Sequence, residues 1–390
     1  MTNKSPLHRV HQFTALAGLA AAATLAASQA HAAPTYQLST IDSTLQSPVM
    51  NTNGTLAGIS QNQLAIFQNG VTQLTSLPAD TTSSYAMAIN DQGVVLGGAG
   101  RSTLVGGDVG QAGHWVTDNQ QQFLYQNGQL TNVQQIIGLP LVSSTPGPQA
   151  FISDLNNRGE LSGTMSLAGS PGSQAFVFRN GQIQTIATPD KWTNVSAAGI
   201  NNLGVVAGNY NYLSPGDSQE TFGVFLDDHG KLTDLGRGMR VNGFNDQGQI
   251  VIEDSAGTSI YDNGHFTKIS DSSDVGPHSF FRSLGLGGDG TVIGYTLSDT
   301  WTSLPVIYAD GQRLDPNTLI DPQSAAQHHI TDLLTINGHG DILAVDQSGQ
   351  QVLLKPLSAV PEAGSFSLMA TGLALLGALR RRRGVKSARP

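Results

Sequence analysis

The chain has 390 residues, 46 of them glycine, no cysteine, and 28 acidic against 19 basic side chains. Eight of the basic residues lie at the two ends (Lys4, Arg9 and six from Arg380 onward), so the body between them carries a net charge near −17. That acidity disfavours nucleic acid and anionic lipid as partners. The missing thiols exclude disulfide stapling and thiol chemistry, and the glycine content argues for a chain that reverses every few residues.

Residues 1–32 read as a targeting segment rather than as part of the fold. Lys4 and Arg9 open it, Phe13 to Ala27 is an apolar, alanine-rich run, and Ala30-His31-Ala32 offers the small-x-small pattern that signal peptidase recognises. Cleavage after Ala32 would leave Ala33 as the first mature residue. The next segment, 35–42, alternates like a strand but has no hairpin partner of its own.

From residue 45 onward one pattern recurs. Asn51, Asn90, Asn156, Asn201, Asn245, Gly287 and Asn337 each stand three residues before a glycine, with β-favouring side chains on either side. In the clearest copy, 196–208, Asn201 opens a tight turn by accepting from the backbone two residues on. Gly204 then takes the left-handed position that the loop needs. A second hairpin signal follows in each unit: Asn69-Gly70, Asn127-Gly128, Asn180-Gly181, His229-Gly230, Asn263-Gly264, Asp310-Gly311 and Ser348-Gly349. Two hairpins, or four short strands, every 40–50 residues or so is the signature of a β-propeller blade.

The expectation is therefore an all-β fold, a propeller of seven four-stranded blades over 33–358. Repeat architecture frees it from the usual division of a chain this long into several domains. The last unit contains only three strands, at 332–336, 341–345 and 351–355, so the 35–42 segment is expected to complete it and close the ring. The extra residues 98–113 in the second unit read as a glycine-rich surface loop.

After the propeller come Val360-Pro361-Glu362-Ala363, an apolar stretch from Phe366 to Leu379, and the cluster Arg380, Arg381, Arg382 and Arg383. As a helix, residues 363–379 would span about 25 Å, a minimal membrane crossing, with the arginines and a short tail, 384–390, held cytoplasmic. This arrangement resembles the PEP-CTERM sorting signal, with alanine at 363 where that family usually has proline. The resemblance implies a bacterial protein first held in the inner membrane. An exosortase would then cut it near Val360, Pro361 and Glu362, for the cell surface or an extracellular, biofilm-type matrix. Separately, Gln174-Ala175-Phe176 and the Ile200–Gly208 segment resemble the extracellular HAF-type repeat, which implies a propeller-like fold and no agreed activity.

No constellation of side chains announces chemistry. Of the seven histidines in the body, His114, His229, His265, His278, His328, His329 and His339, three (His229, His265 and His339) lie in or beside turns, where exposed turn residues are expected. His328-His329 with Asp332 lacks a specified third ligand. The run 271–276 lacks the alternating oxygens and closing Glu of a calcium loop. Trp115, Trp192 and Trp301 fit packing between blades better than a sugar platform. There is no Gly-x-Ser-x-Gly elbow. The expectation is no catalytic, cofactor or metal residues. That suits a non-enzymatic surface propeller binding a polysaccharide or a surface protein, with signal peptidase and exosortase as processing partners. The alternative is an extracellular hydrolase or lyase acting on a polysaccharide, which requires Asp, His or Arg from several blades to converge in one cleft.

Overall fold

The Asn-x-x-Gly segments close hairpins in the computed structural model, which describes residues 35–41, 44–105, 114–139, 149–166, 172–213, 220–271, 280–297 and 302–357. Six of these turns open with the asparagine carbonyl accepting from the glycine N–H three residues on, as in Asn201 and Gly204 at 2.9 Å, and the seventh opens from Gly287 in the same way. Gly204 has φ +81, a region that side chains with a Cβ avoid. Six outer two-residue turns, at Asn69, Asn127, Asn180, His229, Asn263 and Asp310, place both central residues at positive φ. That is the type I′ geometry whose twist matches the flanking strands.

These hairpins assemble into seven four-stranded antiparallel sheets, and Pro34–Val360 forms one compact unit. Blades 1 to 6 occupy residues 46–76, 83–132, 149–185, 192–237, 239–271 and 280–314. Blade 7 combines Ile330–Ile336, Ile342–Asp346 and Gln351–Pro356 with Tyr36–Thr40 as its outermost strand. Tyr36 lies opposite Pro356 and Thr40 opposite Val352, so the two ends of the propeller are joined by one ladder. The first strand of each blade touches the first strands of both neighbours, and blade 7 touches blade 1, so these inner strands form a closed ring. In all seven the register slips just before the Asn turn, a repeated bulge that sharpens the local twist.

The core lies in layers between blades. Ala175 and Val177 of blade 3 pack on Trp192, Tyr210 and Phe225 of blade 4, and Leu343 and Leu353 of blade 7 pack on Leu56 and Phe67 of blade 1. The second glycine of the repeat serves this packing. Gly163 lies opposite Phe176, whose ring folds back over it, so a Cβ there would come within 2.7 Å of the ring and 2.6 Å of the Phe151 carbonyl. Gly208 and Phe225 repeat the arrangement.

Two expectations need correction. Residues 98–105 are not loop: they continue the second strand of blade 2, Val95–Val105, 11 residues long, which pairs with the 13-residue His114–Gln126. Ser348-Gly349 is not a two-residue turn either. Tyr36–Thr40 already supplies the outer strand of that blade, so the turn lies between its second and third strands. It is a four-residue turn opened by Asp346, whose carbonyl accepts from Gly349. Short helices at Val133–Ile137 and Pro322–Gln327 carry too few residues to leave a periodic signal in the sequence. Among the described residues no helix is long and apolar enough to cross a membrane, and the span expected at 363–379 lies outside them.

Deleting residues 33–44 should lower the melting temperature by about 10 °C or more, because it strips a whole strand and the buried Tyr36 and Ile41 from the closing blade. Shortening a surface loop should shift it by a few degrees at most. Thermal unfolding followed by circular dichroism compares the two.

Candidate functional site at the mouth of the central channel

The inner strands end in the seven turns, and the turns surround one end of the channel. Asn51, Asn90, Asn156, Asn201, Asn245 and Asn337 are all buried there. Within its own turn each asparagine accepts through Oδ1. In Asn201 the donors are the N–H groups of Leu203 and Val205, at 3.1 and 3.0 Å. The other end of the amide leaves the blade. Asn51 Nδ2 donates to the Asn90 carbonyl, Asn90 to Asn156, Asn156 to Asn201, Asn201 to Asn245 and Asn245 to Gly287, at 2.9–3.3 Å. Asn337 closes the circle onto the Asn51 carbonyl at 2.9 Å. One position breaks the chain of amides, Gly287. A Cβ there would lie 3.0 Å from both Ile336 Cδ1 and Asp289 Oδ1, and Asp289 secures that turn through Thr291 instead.

A second series of bonds, an arc over blades 1 to 5, is made by the next residue of each turn. Backbone N–H groups of Thr52, Asp91, Asn157 and Asn202 donate to the side-chain oxygens of Asp91, Asn157, Asn202 and Asp246, at 2.7–3.0 Å. Asn157 and Asn202 also donate their amides to Asp91 Oδ2 and Asp246 Oδ2, at 2.6 and 2.7 Å. Two glycines, Gly288 and Gly338, take over where these turns stack most closely: a Cβ on Gly288 would collide with the Gly338 carbonyl. The ring and the arc border a cavity of about 340 Å³, lined among others by Thr52, Asp91, Asn157, Asn202, Asp246 and the exposed His339.

One carboxyl near this cavity departs strongly from its ordinary behaviour. Asp154, on the inner strand of blade 3, accepts from the N–H groups of Leu155 at 2.8 Å and Ile200 of blade 4 at 3.1 Å. Burial raises its pKa to about 7. Those two N–H donors work against the rise and the charge of Asp246 adds to it. Asp346 is the opposite case. Burial opposes its charge, but hydrogen bonds from Ser348, His328 and the Gln350 and Ser348 N–H groups outweigh that and hold it at about 2.

The remaining expected residues scatter. Asn201 and Gly204 stand in the ring itself. His328 pairs with Asp346 at 2.7 Å rather than with His329 or Asp332. His229 is exposed beside Asp228, His265 is exposed at the start of an outer strand, and His329 borders a separate groove with Arg313 and Asp315. Trp192 stacks on Tyr210, ring centroids 3.6 Å apart, between blades 3 and 4. Among the described residues no three His, Asp or Glu side chains are grouped to hold a metal ion. His278, Trp301, the run 272–276 and the side chains of His114, Trp115 and Asp271 lie outside the described residues. So do Ala30, Ala32, Ala33, Val360, Pro361, Glu362 and Arg380–Arg383. The inter-blade amide contacts had one sequence signal that went unread: the turn prefers Asn, where Asp would accept from the backbone equally well.

No known protein family and no curated protein matches the chain. Solved structures resemble it at low identity. A prolyl endopeptidase is 14% identical with a TM-score of 0.47; the match covers 82% of this chain and 47% of that one, so this chain spans about half the length of that enzyme. YCF48 from Cyanidioschyzon merolae is 12% identical (TM-score 0.41, 82% and 98% coverage). A gluconolactonase from Xanthomonas campestris is 11% identical (TM-score 0.36, 84% and 93%). Likeness at this level carries no function across.

Two predictions follow from the ring. Asn90→Asp keeps the acceptor for Gln92 and Val94 but sets a carboxylate oxygen against the Asn156 carbonyl. It should cost about 2–4 kcal/mol at neutral pH, and less in acid where the protonated group donates again. Denaturant titration at two pH values measures this. For Asp154 the folded pKa lies above the unfolded one, so the folded state binds the extra proton and stability should rise as pH falls from 8 to 5. The same titration on Asp154→Asn should lose that rise.

Proposed function

We propose that this chain is an exported propeller of the bacterial cell surface or extracellular matrix, acting as a non-catalytic binding or structural scaffold. One observation carries the non-catalytic part. The channel mouth is where side chains from all blades approach one another, and its amides and carboxylates are engaged in holding turn to turn. The leader at 1–32 and the PEP-CTERM-like tail at 360–383 support the route: signal peptidase, transient residence in the inner membrane, then an exosortase. The acidic body and the HAF-like repeats suit an extracellular polysaccharide or surface protein as partner rather than nucleic acid.

A second reading, a polysaccharide hydrolase or lyase, is favoured by Asp154, a carboxyl poised near neutral pH beside Asp246. Under it Asp154→Asn abolishes turnover of a polysaccharide, whereas the scaffold reading has no turnover to lose.

Mass spectrometry of the mature termini, with fractionation of the cells, tests the main proposal. The expected chain begins at Ala33 and ends near Pro361-Glu362. Changing Pro361 and Glu362 to alanine should hold the unprocessed protein in the inner membrane. Recovery of the full-length chain, tail included, from the soluble extracellular fraction would overturn the route.

A further inference from the structure

Seven blades present seven outer edges, and six are protected in ways familiar from natural sheets. Gln129–Asn132, Gln182–Thr185 and Gln312–Leu314 are only three or four residues long. Lys231–Arg237 carries Lys231, Asp234 and Arg237, and His265–Asp271 carries Lys268. The edge of Tyr36–Thr40 is partly covered, because Tyr36 N–H donates to the Leu319 carbonyl at 2.8 Å and Tyr36 bridges Ile320. Val71–Ser76, the outer strand of blade 1, has none of these devices. It is six residues long and uncharged, with Val71 68% and Leu74 41% exposed. Residues 43–79, which include the whole blade, contain no Asp, Glu, Lys, Arg or His, whereas every other blade carries both acids and bases.

We propose that two copies of this chain pair antiparallel along Val71–Ser76, joining their first blades into one eight-stranded sheet. Val71 lies opposite Gln68 across the two-residue turn, so these two exchange the first hydrogen bonds of the hairpin. By the alternation of an antiparallel ladder, Thr72, Leu74 and Ser76 then direct their N–H and C=O groups away from the blade. That set is self-complementary. With Leu74 opposite Leu74 of the second copy, Thr72 falls opposite Ser76, and all three outward residues find partners. The occupant is a second copy because the outward set pairs with itself, and blade 1, which carries no charge, is the face at which two acidic bodies near −17 can meet with least repulsion. Screening over about 8–10 Å attenuates the remainder. Six residues of edge make a small interface. The pairing is therefore reversible, and trapping reads it better than size.

The absence of native cysteine makes the trap clean. Full-length protein carrying Leu74→Cys, expressed in its exporting cells and mildly oxidised, should give a disulfide-linked homodimer. A hydrogen-bonded antiparallel pair sets the two Cα atoms about 5.5 Å apart, within disulfide reach. Val71→Cys is more exposed but would lie about 20 Å from its own copy, and should link at least tenfold less. In the Leu74→Cys chain, Thr72→Lys with Ser76→Lys should abolish the dimer, and Thr72→Lys with Ser76→Asp should restore it. Equal linkage at 71 and 74, no dimer at 74, a mixed disulfide with another protein in its place, or indifference to the charge pair each overturns the proposal. Thermal unfolding of each variant separates a lost interface from a lost fold.

Discussion

A primary amide both accepts and donates, and this architecture depends on that difference from a carboxylate. At the first turn position the oxygen holds the turn, and the nitrogen reaches the carbonyl of the next blade. Local structure and global assembly are fixed by the same five atoms. Blade 7 contains the contrasting case within the same chain. Asp346 opens a turn of the same shape, accepting from Ser348 and Gln350 N–H groups, but it lies away from the ring. Its second oxygen takes His328 as a donor, because it has no proton to offer a neighbouring backbone. The turn tolerates either residue; the side-chain bond to the next blade requires asparagine.

That distinction also marks how far the sequence could be read. The turns and the number of blades were legible because they rest on local backbone chemistry repeated seven times, and the completion of blade 7 by 35–42 followed from a last unit one strand short. Contacts between one repeat and the next leave no local trace: Asn201 satisfies its own turn whether or not Asn245 lies nearby. Their only signature is the preference for Asn over Asp, visible once the turns are aligned. The long hairpin of blade 2 was misread from residue 98 onward because Gly98 and Gly100 look like loop residues. There the glycines make room, Gly97 for Phe123 and Gly98 for the ring of Tyr85. Asp154 is invisible for another reason: its burial depends on Gly199 of the adjoining blade, where a Cβ would come within 3.2 Å of its carboxyl.

The channel mouth illustrates a tension in repeat folds. Repetition brings the same polar position of every unit to one place, which is where a ligand site is easiest to build. The same approach strips water from those groups, and unpaired polar atoms there would be costly. Here the amides and carboxylates answer one another around the circle. Blades 6 and 7 depart from the pattern, where Gly287, Gly288 and Gly338 let two turns stack backbone to backbone.

The strand that closes the propeller has a consequence in time as well as in space. Tyr36–Thr40 lies near the start of the chain and its partner, Gln351–Pro356, more than 300 residues later. During synthesis from the amino end, this strand is made more than 300 residues before its partner, so it is the last that can pair. Until then blade 7 is incomplete and a five-residue segment with a buried-type tyrosine waits in solvent. The entropic cost of closing so long a loop grows only logarithmically with its length, but the final step is non-local and therefore slow. The interval is one in which chaperones or proteases have access to an open ring.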